Sequence, residues 1–220
     1  LKTLARISAY LFHPIFGFVS TFFLLMCLKP YWFGMTHFSE GAVLLGLVGV
    51  YTCLIPMLAI VLLKFAGLIQ TLEMKERTER IIPLVVCLIF YLWMYINTRQ
   101  DASQPTAFMA FQLGSIIALS LAFVLNNWIK ISLHSLVMGA ILAFWIRIRL
   151  DSGVGTDLYF SFSKAGPGSM HLNHWIAIWI FLTGWVASAR LITGAHDRHE
   201  VYGGLVVGFV AILLGFNFWD

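Results

Sequence analysis

The chain of 220 residues is 60% hydrophobic and only 11% charged, with a formal net charge of +4. A water-soluble fold of this length has nowhere to put so much apolar surface, which excludes a soluble globular enzyme and makes the bilayer the solvent. Nothing in the composition points to a nucleic-acid partner.

The opening stretch, residues 1–12, runs into apolar sequence without a small-residue cleavage site and reads as an amphipathic lead-in rather than a signal peptide. Seven apolar segments can be drawn, at residues 10–28, 41–69, 81–97, 107–126, 134–149, 172–192 and 200–218. Crossing the hydrocarbon core takes about 20 mostly apolar helical residues, so the shorter segments are expected to tilt or to fall short of a full crossing. Pro56 falls inside the second segment, where a kink is expected, and Pro83 in the first turn of the third, where its missing N–H costs little. Cys27, Cys53 and Cys87 lie within apolar runs and behave as small hydrophobes. The expected fold is all-α: a polytopic transmembrane helical bundle of about six or seven helices, forming one integral-membrane domain over residues 1–220.

Six polar connections separate the segments, at residues 29–40, 70–80, 98–106, 127–133, 150–171 and 193–199. If every segment spans, 70–80, 127–133 and 193–199 share one membrane face with the N-terminus, and the other three share the opposite face. The first face carries Lys2, Arg6, Lys75, Arg77, Arg80, Lys130, Arg190 and Arg198, against Lys29, Arg99, Arg147, Arg149 and Lys164 on the second. The positive-inside rule then makes the first face cytoplasmic, by a margin that nearly vanishes if some of these cations bind substrate. The excess charge also suits contact with anionic headgroups. The expected location is the cell (inner) membrane.

Three patches on the first face carry the residues of chemical interest. Arg190, His196 and Glu200 stand between the last two segments. A guanidinium for phosphate oxygens, an imidazole nucleophile and a carboxylate one helical turn away to orient it suit phosphoryl transfer. Ser132 and His134 open the fifth segment, and a histidine at the mouth of a helix can act as general acid because its pKa is near neutrality. The third patch runs from Glu73 to Pro83. Its Glu73–Arg77 and Glu76–Arg80 spacings are i,i+4 pairs that would stabilise a short solvated helix, while Lys75 and Arg80 would serve as further phosphate ligands.

In this order the patches resemble the three signature motifs of the type-2 phosphatidic acid phosphatase superfamily, K-x6-R-P, P-S-G-H and S-R-x5-H-x3-D. Lys75 and Pro83 keep the first spacing, Ser132 and His134 the second, and Arg190, His196 and Glu200 the third, across residues 75–204. The chain departs from the motifs at Ile82 in place of arginine, Leu133 in place of glycine, Ala189 in place of serine and Glu200 in place of aspartate.

The resemblance implies a phosphatase that needs neither metal nor other cofactor. His196 would form a phosphohistidine, Glu200 would fix its tautomer, and His134 would protonate the leaving alkoxide. Lys75, Arg80, Ser132 and Arg190 would hold the phosphate. Membrane lipids are then the partners, and a lipid phosphate the substrate. Two readings compete: a catalytically silent lipid-binding or transport relative, and a haem-binding electron carrier using some of the seven histidines. The pairs His171/His174 and His196/His199 have i,i+3 spacing, but a histidine pair alone is a low-specificity metal signal. The glycine-rich loop at 151–169 reads as an interfacial loop anchored by Tyr159 and Phe160.

Overall fold

The computed structural model of the chain describes residues 2–36, 38–72, 74, 76–151, 157–160 and 168–219. The lead-in forms helix α1 (Lys2–Leu11), which turns Ala5 and Ser8 inward and leaves Leu4, Ile7 and Leu11 on its outer side. That distribution suits a helix lying in the membrane interface. It meets α2 (Pro14–Leu28) at an angle of 61°. The break follows from Pro14, which cannot continue the hydrogen-bond ladder of α1 but fits the first turn of a new helix. His13 caps that helix, its Nδ1 accepting the Ile15 N–H at 3.4 Å.

The second span, Ser39–Phe65, contains α3 (Ala42–Gly49) and α4 (Ile55–Phe65) joined by a π-helical turn at Val50–Leu54. At Pro56, where a kink is expected, the helix takes this wider turn, in which the Ile55 N–H reaches the Val50 carbonyl. The wider turn makes room for the ring, which would otherwise strike the carbonyl four residues back. There follow α5 (Ile81–Thr98), with Pro83 in its first turn as expected, α6 (Thr106–Leu125) and α7 (Leu133–Leu150). The glycine-rich loop contains strand β1 (Asp157–Phe160) paired antiparallel with β2 (Gly168–His171), Asp157 facing His171. Tyr159 is exposed there as an anchor would be, and the rest of the loop, 152–156 and 161–167, lies outside the described residues. Helices α8 (Leu172–Ile192) and α9 (Arg198–Trp219) complete the bundle.

Six helices are long and apolar enough to cross a membrane, and the bent α1–α2 pair supplies a seventh candidate. Large apolar side chains such as Leu62, Ile89, Phe181 and Val206 face outward, whereas Gln112, Ser132, Ser135 and His196 are buried. This inverted distribution is what lipid selects, so the chain is an integral membrane protein with an all-α polytopic fold.

Helix α9 sits between α6 and α7 and packs most extensively against both. Its small-residue stripe sets the distance. A Cβ on Gly204 would stand 2.6 Å from the Ser132 carbonyl, and one on Gly208 would stand 1.9 Å from the Leu136 carbonyl. Such backbone approach is how helices gain dispersion contact in a solvent as apolar as their side chains.

The expected sorting of connections holds. Arg77 Nη1 donates to the carbonyls of Asn127 at 3.1 Å and Trp128 at 2.7 Å, tying the 66–80 connection to the 126–132 one. The Ser132 N–H donates to the Glu200 carbonyl at 3.0 Å, and His134 Nε2 lies 3.0 Å from the Ala9 carbonyl of α1. On the opposite face Lys29 Nζ donates to the Asp157 carbonyl and Arg149 Nε to Asn173 Oδ1.

Candidate active site

Between α8 and α9 the chain turns through Gly194, whose φ of +66° is a left-handed conformation that glycine takes without steric cost. The turn delivers His196 to the start of α9, 6% exposed. Its Nδ1 lies 2.6 Å from Glu200 Oε2. An ionised carboxylate only accepts, so the ring proton sits on Nδ1 and Nε2 keeps its lone pair. The Asp197 N–H donates to the same oxygen at 3.3 Å. Burial lowers the His196 pKa to about 4, with Arg80 and Arg190 acting in the same direction and Glu200 opposing them. At neutral pH the ring is therefore an uncharged imidazole with an open Nε2.

Ser132 and His134 begin α7 as the sequence predicts. Ser132 is fully enclosed and caps the helix: its Oγ accepts from the Ser135 N–H at 3.4 Å and from the Ser135 hydroxyl at 3.1 Å. Its N–H bridges to Glu200, so it couples the second patch to the third. Leu133 occupies the first helical position, where no left-handed torsion is called for, and its side chain packs against the cluster of Leu84, Ala118 and Ala122. His134 Nε2 must donate to the Ala9 carbonyl, which leaves Nδ1 as its acceptor in the neutral ring. The ring also meets His13 edge to face, centroids 5.7 Å apart.

In the first patch the described residues 74, 76 and 77 are not helical, so the Glu76–Arg80 spacing does not sit on the short helix expected there. Glu79 accepts the Gln70 N–H at 2.6 Å and the Glu76 N–H at 3.3 Å, just before a 3-10 turn at Thr78–Arg80. Arg80 does not follow the expected pairing with Glu76 in a helix. Its Nε donates to Met74 O at 3.1 Å and its Nη1 to Ile131 O at 3.0 Å. Arg80 is buried while Ile82 is 40% exposed, so the guanidinium of this patch comes from Arg80. Glu73 and Lys75 lie outside the described residues.

Arg190, in the last turn of α8, ties the cluster together. It acts electrostatically on His13, Arg80, Lys130, His134 and His196, while Glu200 acts on Arg80, Lys130 and His196. Helices α5, α7 and α9 all begin at this face, and their N-terminal N–H groups add positive potential that favours an anion. A cavity of about 370 Å³ opens beside Glu200, lined by Glu76, Arg77, Trp128, Ile129 and Lys130. Burial and the nearby Arg80 lower the Lys130 ammonium below its ordinary pKa, against Glu200 and Glu76. The arrangement brings together cations, a neutral imidazole and a second histidine, a set of groups able to bind an anion.

The site also includes Lys130 and His13, to which the sequence alone assigns no chemical role. Lys130 stands two positions before Ser132, and His13 immediately before the helix-breaking Pro14. On the far face His171 Nδ1 accepts the Asn173 N–H as the cap of α8 at 3.2 Å, and on the near face His199 is exposed. Among the described residues no group of three His, Cys, Asp or Glu is placed to hold a metal ion. Comparison with protein-family models, with curated proteins and with solved structures gave no match.

Proposed function

We propose that the chain is a membrane phosphatase acting on a lipid phosphate through a phosphohistidine at His196, without a metal ion. The observation that carries this reading is the 2.6 Å contact between His196 Nδ1 and Glu200 Oε2, which leaves Nε2 unprotonated beside Arg80 and Arg190. Nε2 attacks phosphorus, the N–P bond forms, and the P–O bond to the lipid breaks. His134, its Nε2–H held by Ala9, takes up a proton at Nδ1 once the anionic phosphate is bound and delivers it to the departing alkoxide. Water then attacks phosphorus and gives its proton to His134, the N–P bond breaks, and inorganic phosphate leaves. Arg80, Arg190 and Lys130 stabilise the phosphoryl oxygens, with Lys75 retained as a further cation from its motif position. Ser132 positions the α7 and α9 ends rather than touching substrate. A site at the mouth of the bundle suits an amphiphile whose phosphate sits at headgroup depth.

The hold of Ala9 on His134 and the enclosure of Ser132 favour the second reading, a catalytically silent lipid-binding relative. Turnover separates the two. Purified protein in detergent with chelator is expected to release phosphate from phosphatidic acid, and rapid quenching to trap an acid-labile, alkali-stable phosphoprotein. Both are lost in His196→Ala. Release unchanged in that variant removes His196 as nucleophile, and no release from the native chain leaves the silent reading.

A further inference from the structure

Beneath the α1–α2 bend lies a second cavity, of about 300 Å³, between α2, α7 and α8. His13 stands at its mouth, and Gly17, Ser20, Val137, Ile141 and Trp179 are among its walls. Three helices lead down it from the polar cluster. Ser20 is seven residues beyond His13, and Ile141 seven beyond His134, each about 10 Å deeper along its helix axis. Trp179 is eleven residues from Arg190, about 16 Å down α8. A hydrocarbon core is about 30 Å thick, so the cavity runs from one interface to roughly the midplane, parallel to the lipid tails of one leaflet.

We infer that this cavity holds one hydrocarbon chain of a phosphate-bearing lipid, whose headgroup passes between His13 and Arg190 to reach His196. The occupant is set by what stands at the two ends. The walls are apolar, which excludes a polar ligand from the interior. The end near the cluster is hydrogen-bond donating: His13 Nδ1 is occupied as the cap of α2, so its Nε2 carries the proton and is a donor for an anionic oxygen, while Arg190, outside the cavity lining, acts electrostatically on both His13 and His134. The volume admits one chain. A Cβ on Gly17 would stand 2.1 Å from Val137 Cγ1, so α2 and α7 are already in close contact along one wall, and a second chain of the same lipid must lie outside in the bilayer. His13 thereby becomes a specificity residue of the site, supplied by the bend that Pro14 imposes.

This inference rests on the phosphate site proposed above, and its test keeps the two apart. The probe is dodecyl phosphate carrying bromine at mid-chain, which quenches indole fluorescence on contact. The Trp179→Phe variant defines the part of the signal that belongs to Trp179. Brominated dodecanol supplies the chain without the anion. In the full-length protein in detergent, Trp179 quenching is expected at a concentration at least about tenfold lower for the phosphate than for the alcohol. Ser20→Phe, at an exposed position on the cavity wall, is expected to abolish that quenching, and Ser20→Leu serves if the larger ring impairs folding. His13→Ala is expected to erase the tenfold difference while leaving quenching by the alcohol. Equal quenching by phosphate and alcohol in the native protein, or quenching by the phosphate untouched by either Ser20 variant, means that bulk lipid or detergent wets this groove and overturns the inference. Phosphate release from unbrominated dodecyl phosphate is read on the same samples. Release without Trp179 quenching overturns the cavity and spares the phosphatase; quenching without release supports the cavity and removes turnover.

Discussion

Glu200 has one methylene more than the aspartate of the motif it resembles, and its place at the start of α9 accommodates the difference. The carboxylate reaches back four residues, accepting from His196 Nδ1 at 2.6 Å and from the Asp197 N–H at 3.3 Å. Glu200→Asp withdraws the carboxylate by about one C–C bond and is expected to lengthen the contact and reduce turnover. Glu200→Gln keeps the reach but presents a group that can donate as well as accept, so Nδ1 loses its fixed proton. The expected result is a fall of about 100-fold in kcat with KM little changed, since orientation of a nucleophile is felt in the chemical step. The pH profile gives a sign that a purely structural effect does not. His196 has its pKa depressed, and the proposed reaction needs the neutral ring, so activity is expected to be retained at neutral pH and lost as pH falls through about 4. Glu200 is the group that raises the His196 pKa against burial and the arginines. Removing it moves the acid limb to still lower pH. A limb that moves upward in Glu200→Gln contradicts the assignment.

Among the elements, the order and sidedness of the helices are legible in the chain, because each apolar run must cross and each crossing reverses the face. The gathering of 66–80, 126–132 and 193–197 with the N-terminus follows from that parity. What depends on rotation about a helix axis is not legible in the same way. Arg80 and Ile82 stand two positions apart where α5 begins, about 200° around a helix. Spacing alone cannot say which of them faces the cluster, and the burial of Arg80 answers it. His13 escapes a reading of the sequence because its role comes from the 61° bend that carries α1 back over the site, a tertiary fact with only Pro14 as its trace. The charges of Glu76 and Arg80 invite a helical reading because they suit an i,i+4 pair, yet Glu79 accepts the backbone N–H groups of Gln70 and Glu76 instead. Helix α8 offers a separate test of how the bundle tolerates polarity. Thr183 is 7% exposed, and its hydroxyl has no hydrogen-bond partner among the described residues. An unmade hydrogen bond in such surroundings costs about 1–3 kcal/mol. Thr183→Val replaces the hydroxyl with a methyl group and is expected to stabilise the protein by about 1 kcal/mol. Thermal unfolding in detergent reads this as a higher midpoint. A lower midpoint means that the hydroxyl is satisfied in the membrane-embedded protein.

At the scale of the whole molecule, the site exists because α7 and α9 touch through their backbones. The Ser132 N–H reaches the Glu200 carbonyl at 3.0 Å, a bond that ties the histidine-bearing start of α7 to the histidine-bearing start of α9. Gly204 and Gly208 let the two helices come close enough to make it, since each presents only hydrogen to a carbonyl of α7 or its cap. A Cβ at position 208 would stand 1.9 Å from the Leu136 carbonyl, where ordinary contact begins near 3.4 Å, so Gly208→Ala forces α7 and α9 apart by about 1.5 Å. Gly203 is the control on the same helix: a Cβ there meets nothing closer than Ile131 Cγ2 at 3.9 Å. Misplacing a catalytic group by about 1 Å can cost on the order of 100-fold in rate. Gly208→Ala is therefore expected to lower phosphate release by about that factor and to lower the thermal midpoint, whereas Gly203→Ala leaves both near native values. Equal behaviour of the two variants would show that the α7–α9 spacing does not set the site. Loss of release in Gly208→Ala without any change in the His196 environment, read from the imidazole resonances, would place the effect on the substrate path instead, because the same helix separation also changes how α7 borders the cavity beneath His13.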